Sequence, residues 1–373
     1  MKNLSNFLID LISSPGLSGY EAPTRQLIED AWKPFTDQLS VSQLGSLHGL
    51  KQGSHSTRLS VAGHAISEPR PSILFATHMD AIGLMVSKIT DGFLNLSEIG
   101  GLDHRVLPGQ LVTVHGREKI PGLIVQPPAH LLHPDIGNGP VPLENLLVDT
   151  GLLPNEVNRK VRIGDLISFA QEPIKMGKGI LVGHSLDNRA SVAALTHCLE
   201  LLSKRTHPWD VWAVATVQEE ETMAGALTSA FQLRPKLAVA IDVTWAQGPD
   251  TPKHNTYLLG KGITLGWGPN IHPRLKEAFA DVADRLEIPY KLEAMPRHSG
   301  TDAYALQIAR QGIPTMVVSI PLRYMHTPVE MIAMKDVKRA GRLLAEFVTE
   351  LDVDFAERIS RNPSAGSRQA TDQ

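Results

Sequence analysis

The sequence predicts an α/β protein: a mixed, mostly parallel sheet sandwiched by helices, with a β-rich domain inserted into it. Three observations carry that reading. Strand and helix patterns alternate in the first and last parts of the chain. The strands there are near-continuous apolar runs. Between about Ala81 and Ile180 the pattern changes to short β-type runs rich in Gly and Pro. Alternating strands and helices argue for a parallel sheet covered on both faces. Strands buried on both faces need not alternate polar and apolar residues.

The first helix is FLIDLI with its flanks, which places Leu4, Phe7, Leu8, Leu11 and Ile12 on one face. VSQLGSLHGL, RLSVAGH and PSILFATHMD then read as successive strands. The intervening stretch offers GLMVSKI, QLVTVHG, PGLIVQPP, NLLVDTG and DLISFA, with no long helix. Helix LDNRASVAALTHCLELLSK follows, then strand WDVWAVATVQEE, helix AGALTSAFQL and strand LAVAIDVTW. Next come helices HPRLKEAFADVADRLE and TDAYALQIARQG, strand PTMVVSIP, and a terminal helix from about Met334 to Ile359. The implied organisation is a discontinuous host domain (1–80 and 177–358), an inserted domain (81–176) and a disordered polar tail (359–373). An insertion that leaves and re-enters at one surface loop spares the host core.

Composition narrows the function. The 373 residues include 42% hydrophobic and 20% charged side chains, ordinary for a globular chain. Lys+Arg number 36 against Asp+Glu 39, so no basic excess exists to neutralise phosphates, and nucleic acid is not an expected partner. No run reaches the ~18 apolar residues that span a bilayer, so no membrane partner is expected. The one cysteine, Cys198, excludes an internal disulfide framework and a Cys-rich metal site, and a cytoplasmic location fits.

Chemistry-bearing residues recur just past apolar strands or at a helix start. His78 and Asp80 follow ILFAT; Asp187 opens a helix; Glu219 and Glu220 follow VWAVATVQ; Asp242 follows LAVAI; His326 follows TMVVSI through PLRYM. In open α/β sheets ligand sites form at the carboxyl ends of strands. That rule gathers these residues at one sheet edge. So many acids buried together need a compensating cation. Imidazole and carboxylate ligands without cysteine suit zinc, cobalt or manganese. The count fits two divalent ions ~3.5–4 Å apart, with a bridging carboxylate and a water between them. Asp80 is placed to orient His78. Adjacent Glu219 and Glu220 point apart on an extended strand, so one ligand and one general base is the expected division.

Ser18-Gly19-Tyr20-Glu21 matches a capping box and reads as structural. Thr301 and Asp302 read as a cap for the helix that follows, in a loop opening toward the same edge. His130 and His133 read as structural residues of the inserted domain, and Cys198 as core.

THMDAIGLMV, GHSLDNRAS, VQEE, AIDVT, SGTDA and RYMHTPVE, in that order, resemble the glutamyl-aminopeptidase and tetrahedral (TET) aminopeptidase family of co-catalytic metallopeptidases. The opening SSPGLSGYE matches too, so the resemblance spans about residues 4–350. It implies a zinc-peptidase-like fold acting on N-terminal residues of peptides. It implies that His78 binds one metal, Asp187 bridges both, Glu220, Asp242 and His326 complete the ligands, and Glu219 is the base that activates the metal-bridged water. It also implies that the inserted domain mediates dimerisation and that dimers assemble into dodecamers. Two departures stand out. Glu221-Thr222-Met223 replaces the usual Val-Gly step after the glutamate pair, and Asn188 stands where many members have Asp.

Three other functions compete. A deacylase or carboxypeptidase would use similar ligands, but its extra domain falls after the glutamate pair. An endoglucanase could use paired carboxylates, but aromatics are only 5% and it would need neither histidine. A non-enzymatic metal-dependent binding protein would have no need of a base at Glu219.

Overall fold

The computed structural model describes residues 3–54, 58–59, 65–66, 70–128, 130 and 139–361. Its main element is an 11-stranded mixed sheet. Four neighbouring strands run parallel at its centre: Asp210–Thr216, Ser72–His78, Leu237–Trp245 and Thr315–Arg323. Antiparallel strands extend the sheet to both sides, Leu47–Lys51 and Gln38–Val41 at one edge, Glu330–Ala333, Ile180–Gly183 and Ile174–Met176 at the other. Leu237–Thr244 is buried without interruption, as a strand covered on both faces must be.

Two groups of helices cover the sheet. Leu4–Ile12, Ala22–Trp32 and Met334–Glu350 gather round Leu186–Leu202, and Ala224–Leu233 packs with Asp302–Ile308. Leu186–Leu202 is buried nearly all round, which only a central helix tolerates. Leu4, Leu8, Leu11 and Ile12 of the first helix are buried as their spacing predicts, with Phe7 packed at the edge of the core.

The chain leaves this sheet after Ser72–His78 and builds a closed six-stranded barrel. Its order is Leu147–Asp149, Phe93–Ile99, Gly83–Thr90, Leu166–Phe169, Leu111–His115 and Lys119–Val125. Lys119–Val125 alternates exposed and buried residues, the signature of a strand wet on one face. Val86, Leu94, Val114, Ile124 and Val148 fill the interior. The strand Ile174–Met176 already belongs to the main sheet.

Two expectations need correction. VSQLGSLHGL is a hairpin rather than one strand. Gly45 takes φ +109°, which a side chain disfavours, and Ser42 bonds back to Ser46 across the turn. The terminal helix breaks at Leu351, which is extended, and the Trp209 indole captures the Asp352 carbonyl at 2.8 Å. A second helix then runs Phe355–Arg361. Of RLSVAGH, only Arg58–Leu59 is described, paired with Ala65–Ile66. The end of the tail (362–373) and His133 lie outside the described residues. Cys198 is buried in the core.

Candidate metal centre

All seven predicted site residues meet at the carboxyl edge of the four parallel strands. His78 ends one strand and Asp242 lies near the end of its neighbour. Glu219 and Glu220 sit in a turn just past Thr216, entered through left-handed Gln218 (φ 57°). His326, itself left-handed (φ 63°), lies in the loop after Thr315–Arg323. Asp187 opens the central helix, and the Asp187–Asn188 peptide is cis.

Asp187 stands between the two imidazoles. Its Oδ1 lies 3.2 Å from His78 Nε2, and its Oδ2 lies 3.5 Å from His326 Nε2. Asp242 Oδ1 approaches His78 Nε2 at 3.9 Å, and Glu220 Oε2 approaches His326 Nε2 at 3.7 Å. Two sets of potential ligands result: His78, Asp187 and Asp242, and Asp187, Glu220 and His326. Within each set the donor atoms lie within 4.8 Å of one another, and Asp187 belongs to both. Glu219 belongs to neither, although its Oε2 is 3.7 Å from His78 Nε2.

Asp80 organises this edge twice. Its Oδ1 faces His78 Nδ1 at 3.4 Å, and its two oxygens accept the Glu219 and Glu220 N–H groups at 3.1 and 3.2 Å. One fully buried carboxylate therefore aims an imidazole and holds the glutamate turn.

The charges explain what the site can hold. Burial first, then mutual repulsion among the acids, pushes Glu219, Glu220 and Asp242 well above the ordinary carboxylate range. Burial alone would lower His78, but Glu219, Asp187 and Asp80 outweigh it and hold the imidazole well above its usual value. Burial likewise opposes ionisation of Asp187, but His326 and His78 outweigh it and hold that carboxyl far below the usual range. No lysine or arginine is among the residues lining the surrounding cavity of about 680 Å³. A buried cluster of acids without lysine or arginine, built from hard oxygen and imidazole nitrogen donors in two sets sharing one carboxylate, fits a pair of divalent cations.

The remaining motifs divide. Thr301 caps its helix by accepting the Ala303 N–H, and Thr301, Gly300, Ser299 and His298 also line the cavity. The capping box is a correction: the Ser18 hydroxyl donates to Asp80 Oδ2 at 2.5 Å instead of capping a helix, and Glu21 accepts the Gln218 N–H that leads into the glutamate turn. The sequence window saw only local partners, and both residues bond across the fold. Asp302 does more than open its helix. Its carboxyl accepts the Thr216 hydroxyl at 2.5 Å, and burial pushes its pKa up to about 7.

The sequence profile of M42 glutamyl aminopeptidases matches residues 60–343. The chain belongs to the M42 glutamyl aminopeptidase family. It is thus a metallo-aminopeptidase by class, a hydrolase of peptide bonds. A lysyl aminopeptidase of Pyrococcus furiosus is 34% identical over 355 residues, covering 92% of this chain and 97% of that relative. Among solved structures, a TET aminopeptidase from a marine-sediment thaumarchaeon superposes with a TM-score of 0.87 at 29% identity, covering 95% of this chain and 98% of that one. The TET1 peptidase of Pyrococcus horikoshii gives 0.79 at 27% identity, covering 94% and 100%.

Proposed function

We propose that this M42 member removes N-terminal residues from peptides at a dinuclear centre, with Glu219 as general base. The observation that carries the reading is the shared Asp187: one carboxylate serves both ligand sets, and Glu219 stands beside them while belonging to neither. His78 and Asp242 would hold one ion, Glu220 and His326 the other. Zinc or cobalt suits these donors best, and manganese is acceptable. When bound, such ions polarise the scissile carbonyl and ease deprotonation of water.

The chain's own residues do the rest. Glu219 takes a proton from the attacking water and returns it to the leaving amine. Asp80 fixes the turn that aims it. A cavity rimmed by acids and without lysine or arginine favours a cationic α-amino group, which selects the end of a peptide over its interior.

The same reading includes a homo-oligomer, a dimer or a dodecamer, formed through the barrel. The Pyrococcus horikoshii TET1 peptidase assembles into a tetrahedron or a large octahedral shell. Here Leu111 and Leu123 face each other across two barrel strands at 64% and 39% exposure, an apolar pair set in water. No helix among the described residues is long and apolar enough to cross a membrane. With its one thiol buried, the chain suits the cytoplasm.

The test is a panel of amino-acid amides, free and N-acetylated, offered to chelated enzyme restored with zinc, cobalt or manganese. Turnover of the free amines alone, dependent on added metal, is the expected result. Preference for acylated substrates would replace this reading with a deacylase, and chelator-insensitive release of reducing sugar would replace it with a glycosidase.

A further inference from the structure

Glu330 is a buried carboxylate that the proposed chemistry leaves without a task. It opens the strand Glu330–Ala333 and is 1% exposed. Among the described residues no lysine, arginine or histidine side chain forms an ion pair with it. Arg189 feels its charge, but directs its own donors to the carbonyls of Leu11, Ser14, Gly16 and Met79.

Its two oxygens are both engaged by backbone. Oε2 accepts the Asp187 N–H at 3.0 Å, and Oε1 accepts the His326 N–H at 3.0 Å. Those two residues come from unrelated segments, the start of the central helix and the loop after Thr315–Arg323. They are also two of the three members of the second ligand set. His326 holds a left-handed backbone that a β-carbon disfavours, so its position depends on tethers of this kind.

We propose that Glu330 is a positioning residue for the second cation site: by gripping the backbones of Asp187 and His326 with one carboxylate, it sets the spacing between their side chains. The proposal rests on the two-cation reading above. A carboxylate can accept from both N–H groups, whereas a glutamine has one acceptor oxygen and turns an amide N–H toward the other donor. Glu330→Gln therefore releases one of the two backbones while keeping size and shape. Losing a partner that orients metal ligands typically weakens binding by roughly 10–100-fold. The loss should fall hardest on the set containing His326, where Glu330 holds two of the three ligands, and reach the set of His78 and Asp242 only through the shared Asp187.

The experiment is a cobalt titration of chelated, desalted full-length protein, followed by calorimetry and by the visible d–d absorption of the ion. The wild type should take two equivalents. Glu330→Gln should bind the second equivalent roughly 10–100-fold more weakly, with a smaller loss at the first, and show an altered visible band. A purely structural role would lower the melting temperature and leave both affinities and the band unchanged; a folded Glu330→Gln protein with that behaviour overturns the proposal. Glu330→Asp, which is too short to reach both donors, should act like the glutamine. Amide hydrogen exchange on the metal-free wild type gives a check that requires no variant: the Asp187 and His326 N–H groups should both be protected, and exchange of either at the rate of an unbonded loop amide overturns the grip. A wild type that takes up no cobalt would sink the two-cation reading and this role together, whereas two equivalents bound with the same affinities by both proteins would sink this role alone.

Discussion

The barrel and the edge of the main sheet are built by opposite rules. Among the described residues between Gly83 and Phe169, no polar or charged residue is buried as a whole, although the Thr150 hydroxyl is. The interior there is Val, Leu and Ile with one Phe, delivered by strands that alternate in and out. At the sheet edge His78, Asp80, Asp187, Glu219, Asp242 and Glu330 are all buried within one neighbourhood. The backbone differs in the same way. Ser185, Gln218, Tyr324 and His326 hold left-handed conformations around the site, whereas in the barrel Asp91 is the one non-glycine to do so among the described residues. A region that satisfies every local preference folds by pattern. A region that breaks them is held by the rest of the molecule, and such breaches concentrate where function lies.

That contrast predicts that changes at the edge strike activity and changes in the barrel strike stability. The largest effect is expected from Glu219→Gln. Loss of a general base costs roughly 10²–10⁴-fold in turnover. Metal content should stay near wild type, since Glu219 lies outside both ligand sets, and melting should hold or rise, since a destabilised buried charge is gone. Parallel loss of metal, read by elemental analysis, would assign Glu219 to the ligands instead.

Ile124→Ala should do the reverse. Truncating a fully buried core side chain costs about 2–5 kcal/mol, which denaturant unfolding of the barrel will show. Amidase kcat/KM measured well below the transition should stay within about twofold. A large kinetic loss would mean that the barrel's interior is coupled to the catalytic edge.

A smaller effect sits in the host sheet, away from the edge. His48 is 1% exposed, its Nε2 is 2.9 Å from Ser229 Oγ, and burial pulls its pKa down to about 4. An unfolded histidine titrates near 6.5, so the unfolded chain gains the proton first as pH falls. Stability from this group is therefore full above pH 6.5 and is lost between 6.5 and 4, by up to about 3 kcal/mol. Other groups titrate in the same window, so the effect is read as a difference: from pH 6.5 down to 4 the wild type should lose up to about 3 kcal/mol relative to His48→Gln in unfolding free energy.

Leu111→Asp should change stability least, within about 0.5 kcal/mol for an exposed site. It should nevertheless shift the sedimenting species toward smaller particles if the exposed leucine pair joins subunits. An unchanged particle would move the interface elsewhere on the surface.

Much of this was legible along the chain. His78, Asp187, Glu219, Glu220, Asp242 and His326 announce themselves because each follows an apolar strand or opens a helix, and the carboxyl-edge rule brings such ends together. The barrel was legible as a change of pattern. Ser18, Glu21 and Glu330 were not legible as parts of the site. Glu330 stands four residues after His326, in HTPVE, which was the one available hint, but its task is to join His326 to a helix start far away in the sequence.

The amino-acid sequence by itself determined which segments are strands buried on both faces, which side chains can ligate a cation, and that no cysteine could share the work. Periodicity and residue chemistry are local properties, and they survive without a fold. Only the tertiary structure decided that Asp187 faces both imidazoles, that Glu219 stays outside both ligand sets, and that Asp80 and Glu330 each bind two pieces of the edge. Those are distances of a few ångströms between residues remote in the chain, and packing alone sets them.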